Sequence, residues 1–317
     1  MTSKVEIRDA RGRSDYDTCV SLQREVWGLS DLEITSAIQL IATVHAGGLL
    51  LVAEAPGEGI VGFSYGFAAR SHGASHLHSD MLAVRPTWRG RGVGLRLKWA
   101  QRAATLARGL SLVTWTFDPM RAKNARLNLH HLGALARDFL PDLYGRTSSA
   151  LHHGLATDRL LARWELASPR VKRLAASKPP RPREGPAIRI NEVSRQAGLP
   201  VSSEPRRDLD APLLVLEIPG DWDAVCRADR GLALEWQDVV RRAFKAAFAR
   251  GYAAVDVRSL GPGRGAVYLL EGRPARRLSR RPSPPPASGR KTTRSTSRRR
   301  ASRAGRRRGA PAGRGKR

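Results

Sequence analysis

The sequence predicts an α/β (α+β) chain, a mixed central sheet flanked by helices with a small C-terminal α/β unit behind it. Three observations carry this. Short apolar or alternating runs of strand length recur between segments of helical period. Pro56-Gly57-Glu58-Gly59 is hairpin punctuation between two apolar runs. A strand-like run at 82–84 leads through a glycine-rich turn into a long helical segment.

Taken in order, residues 4–9 alternate like an edge strand, and 15–27 and 34–44 have helical period. His45-Ala46-Gly47-Gly48 turns the chain into strands at 49–53 and 60–67. A third strand, 75–84, is stopped by Arg85-Pro86. Over 92–108 Leu97, Ala100, Ala104 and Ala107 share a helix face, and Gly109 stands where a helix ends. Residues 110–117 read as a buried strand, 122–132 as a helix and 159–166 as a last strand. Pro169, Pro179, Pro180, Pro182 and Pro186 mark 168–187 as a linker or extended strap. Beyond it, a strand at 213–218, a helix at 229–250 and strands at 252–257 and 266–270 make the second unit. The expected divisions are therefore 1–167, a linker over 168–187, a small domain over 188–271 and a tail over 272–317.

The 317 residues allow about two domains. Of the net charge of +28, the tail holds +18, with 18 Lys and Arg and no acid. Leu278 is its one large apolar residue, too little to offset ordering entropy, so disorder is expected there. Such a tail attracts polyanions, giving weak, nonspecific nucleic-acid contact without aromatic stacking. Cys19 and Cys226 are too few for a disulfide framework or a four-cysteine zinc site. The charged start, MTSKVEIRD, is unlike a signal peptide, and no apolar run reaches about 18 residues, so a cytoplasmic protein without membrane contact is expected.

The most informative stretch is Leu82-Ala83-Val84-Arg85-Pro86-Thr87-Trp88-Arg89-Gly90-Arg91-Gly92-Val93-Gly94. Glycines let backbone amides approach a ligand, and the first turn of a helix favours an anion. Arg89 and Arg91 add charge and donors, which suits a pyrophosphate. The turn lacks the Gly-Lys-Ser/Thr of nucleotide hydrolases, and its glycines at 90, 92 and 94 do not match G-x-G-x-x-G.

Arg89-x-x-Gly92-x-Gly94 after Leu82-Ala83-Val84 resembles the acyl-CoA signature of the GNAT N-acyltransferases, and the order of elements over about 4–167 fits that fold. His45-Ala46-Gly47-Gly48, Trp115-Thr116-Phe117-Asp118-Pro119, Asn124-Ala125-Arg126-Leu127-Asn128 and Thr157-Asp158-Arg159-Leu160 resemble an uncharacterised bacterial subfamily whose likeness extends to about residue 270. The resemblance implies acetyl-CoA or another acyl-CoA as co-substrate, with no metal, and an amine as acceptor. Leu82, Ala83, Val84, Arg89, Gly90, Arg91, Gly92, Val93 and Gly94 would bind the coenzyme, with the pyrophosphate on the turn and the thioester carbonyl near the Val84 amide. Asn124 would face the coenzyme arm, and Phe117 and Asp118 would end the strand that splays to admit it.

The expected reaction is amine attack on a thioester, which needs orientation, a base and oxyanion stabilisation. Deprotonating a lysine-like amine of pKa about 10.4 at pH 7 costs about 4.6 kcal/mol. On the strand His76-Leu77-His78-Ser79-Asp80, residues two apart share a face, so His76, His78 and Asp80 are expected to line up. Arylalkylamine N-acetyltransferases of the same superfamily have a histidine pair at the positions matching His78 and Asp80. A His78–Asp80 pair is therefore the expected base, with Asp80 raising the His78 pKa or bridging a water. The same run mimics a metallohydrolase ligand set but lacks the further histidine that completes one. Taking Gly133 as the glycine that ends the family's second conserved helix puts Leu129 in the general-acid slot, and Tyr144 is the alternative donor. Asn124, Asn128 and His131 are expected on one helix stripe. Trp27, Tyr65, Trp88, Trp115 and Phe117 are read chiefly as packing groups near the cleft.

The combined reading is N-acyl transfer from acetyl-CoA or another small acyl-CoA to an amine. Its rivals are succinyl-CoA-dependent N-succinylation of an amino acid, a non-catalytic CoA-binding module, and nucleic-acid binding through the tail. Residues 188–271 would cover the acceptor side or form a homodimer contact.

Overall fold

The computed structural model describes residues 5–71, 73–180, 183, 185–261 and 263–272. The expected disorder of 272–317 falls, from residue 273 on, outside them.

β1 (Glu6–Asp9) leads into α1 (Gly12–Trp27) and α2 (Ala37–His45). Gly28, at φ 63°, ends α1 in the left-handed conformation, and the Ser36 side chain caps α2 by accepting from the Gln39 amide. β2 (Leu49–Ala55), β3 (Gly59–Ser71) and β4 (Ala74–Val84) form an antiparallel meander. After the glycine turn come α3 (Val93–Ala107), β5 (Leu112–Phe117) and α4 (Ala122–Arg126), which continues as a π-helical turn, Leu127–His131. β6 (Leu135–Leu140) and β7 (Arg159–Glu165) follow, and then α5 (Pro169–Ala175). The last part holds β8 (Ala187–Arg189), β9 (Val193–Gln196), β10 (Leu199–Ser202), β11 (Leu213–Ile218), α6 (Trp222–Ala228), α7 (Arg230–Ala249), β12 (Ala253–Ser259) and β13 (Ala266–Glu271). Helix α7 begins at Asp229, whose carboxylate accepts from the Leu232 amide.

Eleven strands share one sheet in the order β1-β2-β3-β4-β5-β7-β6-β12-β13-β11-β8, and β9 pairs with β10 separately. Among the described residues only β4 with β5 and β8 with β11 pair parallel. Cys19, Leu22 and Leu40 cover one face, against Leu50, Val52 and Phe63. Val93 and Leu97 of α3 cover the other, against Leu49, Leu51 and Trp115. The alternation along β2 assigns these faces residue by residue. Along the chain β1, α1, α2, β2 to β4, α3, β5, α4 and β7 follow one another in the order expected from the sequence.

The structure departs from the expectations at several points, and β8, β9, β10 and α6 are elements the sequence reading did not include. The segment 168–187 is partly helical: Ser168 caps α5, Pro169 occupies its first turn and Val171 is fully buried. Residues 188–271 extend the first sheet through an Ala136–Ala254 bridge, and the described residues form one compact unit. Strand β6 was not anticipated, because a register shift in its pairing with β7 puts Asp138 opposite Leu161 and breaks the alternation.

Candidate active site

The site begins where β4 and β5 part. Their parallel ladder consists of Leu77–Val113 and His78–Thr114, whereas β5 stays paired to β7 along its whole length. From Ser79 to Val84 the β5-facing edge of β4 therefore has no ladder partner among the described residues. An open backbone edge of this kind can accept an extended ligand as if it were another strand.

At the far end of that edge lies the turn. Gly90 and Gly92 have φ of 78° and 77°, a region other residues adopt at a cost. Gly92 is the N-cap of α3 and brings no side-chain cap, so the first-turn amides of Val93 and Gly94 have no partner within the helix. Gly94 differs: a Cβ there would sit 3.7 Å from Leu82 and Val84, ordinary contact. The Arg91 guanidinium lies 4.7 Å from the Trp88 ring centroid, and Trp88 donates to Glu58 at 2.7 Å. Arg89 is exposed and donates to the Val84 carbonyl at 3.3 Å. The Arg89 bond ties the turn to β4, and Arg89 and Arg91 bring two positive charges to the turn that precedes the free amides.

The alignment of His76, His78 and Asp80 does not survive. The β3–β4 register shifts so that Tyr65 pairs with Met81 and Gly66 with Ser79, leaving Asp80 as the extra residue of a β-bulge. Leu77 accordingly packs on the α3 face while Met81 and Ala83 pack with α1 and α2. His78 has no recorded bond to Asp80; its Nδ1 meets the Thr114 hydroxyl at 2.9 Å. Its pKa is lowered, not raised, by burial first, then by His76 and by Lys98. The Asp80 carboxyl is pushed up by desolvation.

Thr114 and Thr116 share a face of β5. His78 binds the first, and the Tyr144 hydroxyl meets the second at 2.8 Å. His78 and Tyr144 thus flank the opening, roughly 7 Å apart along the strand. Leu129, in the slot expected for an acid, is fully buried. The Arg159 guanidinium lies 5.2 Å from the Tyr144 ring centroid and donates to His152 at 3.2 Å and to the Asp158 carbonyl at 2.9 Å. Arg159 is only 8 % exposed and has no carboxylate within ion-pair reach among the described residues. Burial, with help from Arg159, lowers His152 to about 4, and desolvation raises the Asp118 carboxyl.

The tyrosine is held from the far half of the chain. Arg241 of α7 grips Asp158 through two bonds of 3.0 Å. Asp158 accepts the Asp142 amide, Asp142 accepts the Thr157 amide, and the Thr157 hydroxyl accepts the Tyr144 amide, each at 2.9 Å. Asp223 of α6 binds His153 on the same loop at 2.7 Å and Arg121, just before α4, at 2.6 Å.

Asn124 is exposed on α4, but the polar stripe expected with Asn128 and His131 is broken by the π turn. Asn128 is buried there, its amide nitrogen without a partner. Trp27, Tyr65, Trp88, Trp115 and Phe117 pack as expected, Trp115 edge-on to Trp164. Thr114, Thr116, Arg159 and Lys98 were not singled out from the sequence. Of these, Thr116 and Arg159 lay in motifs that carry the resemblance, without a role of their own.

No family model matches the sequence, and no curated protein does. Among solved structures the chain is similar to the ribosomal-protein-S18-alanine N-acetyltransferase of Escherichia coli, at 12% identity over 52% of this chain and 96% of that one, with a TM-score of 0.42. It is similar to an N-acetyltransferase from Staphylococcus aureus Mu50 at 15% identity, over 52% and 99% of the two chains, with a TM-score of 0.42. A ribosomal-protein-alanine N-acetyltransferase from Brucella melitensis shares 19% identity over 50% and 98%, with a TM-score of 0.41.

Proposed function

We propose that the chain is an acyl-CoA-dependent N-acyltransferase that moves an acetyl or other small acyl group to an amine by direct attack. One observation carries the reading. The β4 edge opens immediately after His78 and leads to glycine-backed free amides at the start of α3. This spacing suits a ligand with a diphosphate at one end and an extended thioester arm at the other.

In this reading the turn over 89–94 takes the diphosphate, and Leu82, Ala83 and Val84 line the arm. Asn124 faces the arm from α4. Neutral His78 takes the proton as the amine nitrogen bonds to the thioester carbon, directly or through a water. Asp80 sits on the bulge apart from His78, and its carboxylate would draw a cationic amine rather than tune the imidazole. A free amide of the β4 edge beside the fork steadies the oxyanion, while Val84, roughly 20 Å from His78 along the strand, lines the arm. The carbon–sulfur bond then breaks, and Tyr144, across the opening, is placed to protonate the departing thiolate.

Arg159 favours a second substrate set within the same chemistry. Among the described residues the buried Arg159 guanidinium has no carboxylate within ion-pair reach, Asp118 and Asp158 acting on it only from farther off, which suits a substrate carboxylate carried by a succinyl donor or an amino-acid acceptor. The test is thiol release from acetyl-CoA and succinyl-CoA against amines with and without a carboxylate. Release that depends on both donor and amine supports transfer. Binding without release for every pair would make the chain a silent coenzyme-binding module, and neither binding nor release would end the proposal.

A further inference from the structure

Lys98 is a lysine on the inward face of α3 and is 2 % exposed. Burying an ammonium is costly unless it is paired. Its Nζ donates to Gln101 at 2.7 Å and to the Ser79 hydroxyl at 3.0 Å. It also lies 3.9 Å from the Trp115 ring centroid and 5.5 Å from that of Trp164. Among the described residues no carboxylate pairs with it, and burial alone lowers its pKa to about 7.

The position of these partners matters. The β4–β5 ladder ends at His78–Thr114, so Ser79 and Trp115 are the first residues past the last pair. The Lys98 nitrogen touches both, one by a hydrogen bond and one over an aromatic face. It therefore occupies the apex of the fork, on the α3 side. Ser79 also adjoins the bulge at Asp80, where β4 turns its faces over.

We propose that Lys98 is a positioning residue: its ammonium bridges β4 and β5 at the point where they part, setting the width of the cleft and favouring neutral His78. Only what the cleft holds rests on the acyl-transfer reading. The charged form gives both bonds and the cation–π contact; the neutral amine forfeits the latter. The groups meeting it are Ser79 of β4, Trp115 of β5, Trp164 of β7 and Gln101 of its own helix, with His78 and His76 on the opposite face of β4. A positive Lys98 disfavours protonation of His78, so removing it raises the His78 pKa.

The experiment uses the full chain in three forms: wild type, Lys98→Met and Ser79→Ala. His78 is titrated by NMR, and acetyl-CoA affinity is measured by calorimetry. Lys98→Met should raise the His78 pKa; Ser79→Ala, which keeps the charge, should leave it near the wild-type value. Both variants should weaken acetyl-CoA binding about tenfold or more, the scale of a sub-ångström misplacement. Identical His78 titration in Lys98→Met and wild type overturns the assignment. Should Lys98→Met fail to fold, unchanged acetyl-CoA affinity in Ser79→Ala overturns it instead. A wild type that ignores acetyl-CoA while His78 still shifts in Lys98→Met sinks the acyl-transfer reading alone.

Discussion

His78 stays neutral at pH 7 because burial, His76 and Lys98 all work against its charged form. A base with a lowered pKa remains active below the usual histidine range, so the acid limb of kcat/KM should lie under pH 6.5. His78→Ala should lower kcat by about 100-fold or more, the scale of general-base catalysis, with little change in acetyl-CoA affinity; equal losses in both would assign it to binding. Lys98 makes an independent thermodynamic prediction. Its folded pKa, about 7, lies below the unfolded value of 10.5. The native state thus binds fewer protons between those values, and stability from this group rises with pH across that window. Lys98→Met should melt above wild type at pH 6, by about 2–4 °C per kcal/mol relieved, with the gain shrinking toward pH 10. Calorimetry at the two pH values checks this. Neither the Lys98 position nor the His78–Thr114 contact was legible in the sequence, because both depend on which strands meet. Lys98 reads there as an ordinary helix-surface residue.

At the scale of elements, the turn was the most legible part. Gly90 and Gly92 stand where the backbone takes positive φ, and the chemistry of the free amides follows from their place before a helix. Gly92→Ala should cost about 1 kcal/mol of stability and weaken acetyl-CoA binding, while Gly94→Ala, with ordinary clearance, should be nearly neutral in both. Thermal melts and calorimetric titration of the two variants decide this; equal effects would remove the backbone argument. Other elements were hidden for identifiable reasons. The bulge at Asp80 leaves the apparent two-residue period His76, His78, Asp80 intact in the sequence while flipping the faces in the sheet. The π turn over Leu127–His131 undoes a helix spacing that looked regular. Pro169 in α5 reads as a linker residue until the Ser168 cap places it in a first turn.

On the scale of the whole molecule, the two halves divided by sequence at 168–187 share a sheet, and the second half reaches into the site. Arg241 anchors Asp158, which is 3 % exposed, and through Asp142 and Thr157 the backbone that carries Tyr144. Arg241→Ala removes the ion-pair partner of that buried carboxylate and leaves it the Asp142 amide, at about 1–3 kcal/mol. Its turnover should fall more than its coenzyme affinity, and turnover unchanged at equal stability would separate α7 from the site. This role for the second half could not be read from sequence, where 188–271 carries no motif of its own.

A crystal structure of the chain with acetyl-CoA tests the central claim most directly. The diphosphate should lie on the amides of Val93 and Gly94 and the arm along the β4 edge from Ser79 to Val84, with the thioester between His78 and Tyr144. Coenzyme bound elsewhere, or β4 and β5 closed into a continuous ladder with the turn unused, would contradict it.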